Sequence, residues 1–351
     1  MISQPSKIRA AQLWFTAPHH VEVRETFLDP PASDQVVVRT SYSAVSAGTE
    51  LLLYRGQLPN SMALDSSIDS LQDSCDYPLQ YGYACVGTVI ETGSAVDPHW
   101  RGREVFAFQP HASHFLARTD ALQVIPDELS PRDAVLLPNM ETAVNLVQDA
   151  RPMLGERVVV LGQGIVGLLL TSLLAEHPLA SLAAIEGMPA RQAMAQAMGA
   201  DLVCSPQHAS DPEAMTAEQK QALLEADLIF EVSGQPQALD LAINLAGYTG
   251  RIVIGSWYGN KSAPIDLGGP AHRNRLQLIT SQVSTISPAL TGRWNKQRRF
   301  GVAWKMLERV NPARLVTHTV PLGEAASLYQ QLHDETSGVM QVLFDYTDCP
   351  D

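Results

Sequence analysis

The most constraining feature of the chain is the run RVVVLGQGIVGLLLTSLLA, Arg157 to Ala175. A short apolar strand runs into Gly162, Gly164 and Gly167 at G-x-G-x-x-G spacing, and a helical pattern follows at once. In that setting the three glycines serve a tight turn, the approach of the backbone to a pyrophosphate, and close packing of helix on strand. The helix start, Ile165 and Val166 included, offers N–H groups and the positive end of its dipole to phosphate oxygens. These residues predict a βαβ dinucleotide site. The competing reading, a βα unit that holds no nucleotide, is disfavoured.

Neighbouring residues extend that site. The next strand, LAAIE, ends on Glu186, whose carboxylate can accept the adenosine ribose hydroxyls and would repel a 2′-phosphate. This favours NAD over NADP. Arg191, five residues on, pulls the other way, so NADP stays open as the second cofactor. FEVSG and VIGSWYG read as strands ending in small-residue turns. Ligands bind outside the carboxyl ends of parallel strands, which places Ser233, Gly234, Gly255 and Ser256 at the cofactor; turn chemistry alone would also account for the serines.

Around the motif, strands alternate with helices: LAAIE, PARQAMAQAMGA, LVCS, the polar helix PEAMTAEQKQALLEA, LIFEVSG, PQALDLAINLAG and GRIVIGS. Such alternation with nearly continuous apolar strands means a parallel sheet covered on both faces. Ahead of it, SPRDAVLLPNMETAVNLVQDA reads as a helix with Ser130 as cap before Pro131. The first 125 residues differ, with short β-like runs bounded by Pro, Gly and Asp that suggest a β-rich barrel. Residues 60–78 are polar, acidic and aperiodic, and read as a long loop. The segment after Ser281, with AWKMLERV, EAASLYQQLHD and MQVLFDY, is expected to return to the first domain. The fold class is therefore α/β: a β-rich barrel domain over residues 1–125, completed by about 301–351, and a doubly wound parallel-sheet Rossmann domain over 126–300.

Bulk composition narrows the partners. The chain has 351 residues, 45% hydrophobic and 17% charged, with a formal net charge of −13. Nothing in this acidic balance suggests a nucleic-acid partner. Apolar runs such as IVGLLLTSLLA are shorter than a bilayer requires, and the N-terminus lacks a signal-peptide core. No membrane partner is expected, and a cytoplasmic location follows by default. Cys75, Cys85, Cys204 and Cys349 form no C-x-x-C pair, which leaves buried or incidental thiols as their reading.

The stretch SAVSAGTE, Ser43 to Glu50, carries Ser46, Thr49 and Glu50 on what reads as a loop of small residues after the strand VVVRT. Taken alone, these oxygens are ordinary turn chemistry. The β-rich first domain, the GQGIVG turn, the Glu186…Arg191…MGAD spacing and FEVSGQPQALDLA before GRIVIG together resemble the medium-chain dehydrogenase/reductase family. The resemblance covers nearly the whole chain and implies a GroES-like first domain, with hydride exchanged between the dinucleotide and a carbonyl held in the interdomain cleft. SAGTELLLYRG, HRNRLQLITSQV and GRWNKQRR are most similar to a branch that includes bacteriochlorophyllide dehydrogenase, whose members oxidise a secondary alcohol.

Zinc-dependent members of the family place a Cys in this loop, a Gly-His-Glu further along and a third ligand near the connecting helix. By that resemblance the positions fall here on Ser46, on Gly82-Tyr83-Ala84 and near Pro138 or Asn139. The four-cysteine structural lobe is missing too. Such residues do not supply zinc's N, S or carboxylate ligands, so no metal is expected. Gln341 stands where the family has a basic residue for the pyrophosphate. Without a Lewis acid, pre-aligned hydrogen-bond donors must stabilise charge on the reacting oxygen. Thr49 takes the place of the family's relay hydroxyl, and Tyr83 replaces a zinc-ligating His. A tyrosine is a credible acid when nearby positive charge lowers its pKa. Glu50 is a candidate base or orienter of Thr49, against a favoured structural pairing with an arginine such as Arg55. Tyr54 and Arg55 resemble the Y-x-R element of zinc-free quinone reductases at altered spacing. His111 is a further catalytic candidate, against the commoner reading as a packed histidine.

The basic cluster HRNRLQ and RWNKQRR is unusual in so acidic a chain. A solvated helix face or subunit contact is the commoner reading; the functional one has Arg273, Arg275, Arg293 or Arg298 holding an anionic substrate group. The sequence thus points to a zinc-independent NAD(P)-dependent oxidoreductase acting on a small secondary alcohol or ketone, as a homodimer. A zinc-free enoyl or quinone reductase and a non-catalytic nucleotide-binding protein are the alternatives.

Overall fold

The computed structural model describes residues 7–58, 76–334 and 338–349. Most of the stretch 60–78 read as a loop, Cys75 included, lies outside the described residues. In chain order, β1 (Ile8–Ala17), β2 (His20–Leu28), β3 (Gln35–Val45), α1 (Ala47–Tyr54), β4 (Cys85–Thr92), β5 (Glu104–Ala107), β6 (His114–Arg118), β7 (Leu122–Val124) and α2 (Pro131–Ala134) precede α3 (Leu137–Ala150). There follow β8 (Arg157–Leu161), α4 (Ile165–Leu174), β9 (Ser181–Ile185), α5 (Pro189–Ala197), β10 (Leu202–Cys204), α6 (Pro206–Ala209), α7 (Ala217–Leu223), β11 (Ala226–Glu231), α8 (Ala238–Leu245), β12 (Ala246–Ile254) and β13 (Gln277–Thr280). The last elements are α9 (Lys296–Val310), β14 (Val316–Pro321), α10 (Ala325–Asp334) and β15 (Gln341–Asp345).

The chain divides into two compact units, Met1–Pro138 with Asn311–Asp351, and Asn139–Val310. The sequence pattern puts the divisions at 125/126 and near 300/301. The first falls later because α2 stays with the β-rich unit: Asp133 accepts the Ala313 N–H at 2.7 Å, and the Arg132 guanidinium lies 5.6 Å from the Tyr42 ring. The second falls later because α9 runs unbroken to Val310.

In the first unit, β1 and β2 pair with each other, and a seven-stranded sheet runs β14-β15-β3-β4-β5-β7, with β6 on β3. Its pairs are antiparallel except β14 with β15. The alternation of apolar residues buries Val36, Val38, Val89 and Phe115 in one cluster, while Leu13, Phe15, Leu51–Leu53, Tyr329 and Phe344 form another. Each such side chain contributes roughly 1.5–3 kcal/mol when fully buried. The second unit carries a six-stranded parallel sheet in the order β10-β9-β8-β11-β12-β13. This is the doubly wound Rossmann order, with its reversal at β8 and β11. Val158, Val159 and Val160 are fully buried, as a strand covered on both faces demands. The α/β class, a β-rich GroES-like unit plus a Rossmann unit, is the fold observed.

Several elements differ from the sequence pattern. SAGTE is not a loop: α1 starts at Ala47, with the Ser46 carbonyl accepting the Thr49 and Glu50 amides and the Glu50 carboxylate accepting the Ser46 N–H at 2.7 Å. The helix expected after Ser130 is two, because Pro138 has no N–H to continue the ladder and can only sit in a first turn. Ser130 does cap the first of them, accepting the Asp133 N–H. The polar helix is shortened to α7, started by a capping box of Thr216 and Gln219. The strands β6, β13 and β14 add to those read from the sequence.

Candidate functional site

The second unit presents a built dinucleotide turn. Gly162 has φ +94°, and a Cβ there would come within 2.5 Å of the Ser233 Cα. A Cβ at Gly167 would lie 2.1 Å from the Gly162 carbonyl oxygen, so only glycine allows helix and strand to pack this closely. Gly164 is different: nothing lies within 4 Å of its Cβ position. That open space adjoins the start of α4, at Ile165 and Val166, and the first-turn amides of a helix have no intrahelical acceptor. The turn therefore fits a pyrophosphate.

Glu186, at the end of β9, is buried and tied into the same turn. One oxygen accepts the Gln163 N–H at 2.8 Å and the other the Met188 N–H at 3.0 Å. Each oxygen keeps a lone pair, so the carboxylate can still accept ribose hydroxyls. Burial lowers the Arg191 pKa, and the nearby Glu186 carboxylate opposes that shift. The fully buried Gln163 accepts the Thr171 hydroxyl, while its Nε2 has no partner among the described residues.

The carboxyl ends of β11 and β12 meet around a buried carboxylate that the sequence motifs did not single out. Glu231 accepts the Ser233 N–H at 2.8 Å and the Ser233 and Tyr258 hydroxyls. Ser256 accepts the Gly234 N–H and Lys261 donates to the Gly234 carbonyl, both at 2.8 Å. Ser233, Gly234, Gly255 and Ser256 are thus gathered at one sheet edge. Burial, reinforced by Glu231, raises the Tyr258 pKa and keeps it a donor. The signal for Glu231 was a charge inside the apolar run LIFEVSG, a residue type seldom buried without partners.

In the first unit, the Ser46 and Tyr83 hydroxyls are bonded to each other. Thr49 shares the same turn, half-buried, and its hydroxyl has no hydrogen bond among the described residues. Behind them Glu50 is fully buried. Three donors meet on its carboxylate: the Ser46 N–H, the Tyr329 hydroxyl and, at 3.2 Å, His111 Nε2. On its other side, His111 Nδ1 is hydrogen-bonded to Ser43 Oγ, 2.6 Å away, and Ser43 Oγ to the Tyr346 hydroxyl at 2.7 Å. Burial first, then Glu50, raises the Tyr329 pKa well above its ordinary value, and burial does the same for Tyr346.

One pairing differs from expectation: Glu50 does not pair with Arg55, which donates to His333 Nδ1 at 3.0 Å. His111 is fully buried, its ring edge-on to Phe344 at 5.0 Å. Tyr54 is buried and stacked on Tyr329.

The Ser46 and Tyr83 hydroxyls are bonded to each other, and the Glu50 carboxylate is already met by three donors; among the described residues no group of three or more His, Cys, Asp or Glu is placed to hold a metal ion. Burial raises the Cys85 thiol, and pushes Cys204 up to about 11, so both are inert core thiols. Within the basic cluster, Arg298 stacks on Trp294 at 4.1 Å and donates to the Arg293 carbonyl.

Residues 166–296 match the zinc-binding dehydrogenase family. The chain is similar to D-guloside 3-dehydrogenase of Escherichia coli (strain K12), 25% identical over 330 residues that cover 89% of this chain and 93% of that one. It is 31% identical to 2-desacetyl-2-hydroxyethyl bacteriochlorophyllide A dehydrogenase of Cereibacter sphaeroides over 115 residues, 32% of this chain and 31% of the other. Among solved structures, an alcohol dehydrogenase of E. coli CFT073 complexed with NADH matches with a TM-score of 0.76 at 17% identity, over 97% of this chain and 100% of its own. At that identity the likeness is one of fold.

Proposed function

We propose that this chain is a nicotinamide-dependent oxidoreductase that moves hydride between NAD and a secondary alcohol or its ketone, without zinc. The observation that carries the reading is the phosphate turn, where Gly164 opens onto free space and Glu186 is fastened to the same turn through Gln163. Similarity to D-guloside 3-dehydrogenase along most of the chain supports a sugar secondary alcohol as the substrate class. The local match to the bacteriochlorophyllide enzyme supports a place in that branch.

Gly162, Gly164, Gly167 and the start of α4 would hold the pyrophosphate, Glu186 the adenosine ribose, and Ser233, Gly234, Gly255 and Ser256 the other half. When bound, the dinucleotide supplies or accepts the hydride. In ketone reduction the first unit must stabilise the carbonyl oxygen and deliver its proton, a role we assign to the Tyr83 hydroxyl, set by Ser46, with Thr49 as a second donor. Glu50 and His111 are positioning residues behind that pair. We place the protein in the cytoplasm, which suits the free thiols Cys85, Cys204 and Cys349.

The test is NADH oxidation by a panel of ketosugars and simple ketones, on protein dialysed against a chelator and assayed for zinc by mass spectrometry. Turnover that survives removal of zinc is expected. Turnover lost with the metal and restored by added zinc overturns the zinc-free reading, and no turnover with any ketone counts against the dehydrogenase.

A further inference from the structure

Helix α3 carries Glu141, Asn145 and Asp149 at spacing i, i+4, i+8, one polar stripe on a helix whose other faces bury Met140, Ala143, Val144 and Leu146. Facing the stripe is Arg299 of α9, a fully buried guanidinium. It makes two bonds to the Glu141 carboxylate, at 3.0 and 2.8 Å, one to Asn145 Oδ1, and two to main-chain carbonyls, those of Val283 and of Thr285, the latter at 3.0 Å. Asn145 also donates to Ser281 Oγ at 2.9 Å, and Ser281 donates to Asp149 at 2.7 Å. Lys296 sits 3.1 Å from Glu141 and donates to the Val283 carbonyl. Both cations thus meet the one Glu141 carboxylate, while Asp149 is held by Asn145 and Ser281.

The segment Ser281–Thr285 is therefore pinned at three points by one helix stripe and one arginine. It leaves the carboxyl end of β13, and the Ser281 N–H is fixed to the Ile254 carbonyl at the end of β12. A doubly wound sheet binds the two mononucleotide halves of its ligand over its two halves. The GQGIVG turn and Glu186 take the adenosine half on β8 and β9, which leaves β11, β12 and β13 for the nicotinamide half.

We infer that Arg299, with Glu141 and Asn145, is a positioning group that holds the Ser281–Thr285 segment as a wall for the nicotinamide half of the cofactor. The inference rests on the dinucleotide reading above. A planar guanidinium suits this role because its fixed fork makes five bonds here, to a carboxylate, an amide oxygen and two carbonyls, more than the three donors of a lysine ammonium can supply.

The test compares two ligands on the full chain: NADH, by nicotinamide fluorescence, and ADP-ribose, which lacks the nicotinamide, by calorimetry. Arg299→Met is expected to weaken NADH binding about tenfold or more while ADP-ribose stays within about twofold, with Arg299→Lys in between. Ser281→Ala keeps the arginine cluster and covers the case in which Arg299→Met does not fold; it is expected to weaken NADH alone, by about threefold. Equal losses for both ligands in folded variants, or unchanged NADH binding in Ser281→Ala and Asn145→Ala, overturn the inference. Wild-type protein that binds ADP-ribose but not NADH overturns it as well. Wild-type protein that binds neither overturns the dinucleotide reading and this inference together.

Discussion

Replacing Tyr83 by Phe removes one oxygen from the turn and leaves Ser46 Oγ without its partner. If that oxygen carries the proton, ketone turnover falls by about 10²–10⁴-fold while NADH affinity is unchanged, and steady-state kinetics beside a fluorescence titration read both. Unchanged turnover in Tyr83→Phe would favour hydride transfer to an activated double bond. Glu50→Gln is expected to cost about 1–3 kcal/mol of stability by urea unfolding, since its NH₂ must confront one of three donors. Glu50 was legible as a residue with something to do, but its partners were not. Tyr329 lies 279 residues away, and no local pattern in the sequence reports a contact between the helices α1 and α10. Arg55, near in sequence, was the natural guess; the chain turns it to His333 instead.

Among the elements, the glycine turn before α4 was the clearest sequence signal because its chemistry and its geometry impose the same residues. The three glycines should nonetheless behave differently. Gly164→Ala meets no protein atom, so its Tm should match wild type while NADH affinity drops at least about tenfold. Gly167→Ala drives a methyl group into the Gly162 carbonyl and should lower Tm as well. Unchanged NADH affinity in Gly164→Ala would show that the open space at Gly164 is not the phosphate site. The helix α1 was illegible: Gly and Thr are weak helix formers, and the cap that starts it closes only once the Glu50 side chain folds back. β13 was missed because it is short and mostly exposed. As the edge of the parallel sheet, with Leu278 45% exposed, it is where we propose a second copy pairs. Leu278→Lys should convert a dimer to a monomer by light scattering; a monomeric wild type would rule this interface out.

For the whole molecule, fold class followed from the alternation of strands and helices, whereas the division into units depended on contacts such as Asp133 with Ala313 that only the folded chain makes. Buried tyrosines also set a limit on alkaline stability. Tyr329, Tyr346 and Tyr258 all have pKa values raised on folding, so their contribution is complete below the unfolded value of about 10 and is lost as pH rises beyond it. Urea midpoints should therefore fall between about pH 9 and pH 11, less steeply in Tyr329→Phe; parallel slopes would mean that Tyr329 ionises as freely folded as unfolded. Titration of the purified chain with NADH and with NADPH tests directly whether Glu186 and the GQGIVG turn bind NAD. Saturable binding, tighter for NADH by at least about tenfold, is the predicted result. Tighter binding of NADPH would show that Arg191 outweighs Glu186, and binding of neither would show that the turn holds no dinucleotide.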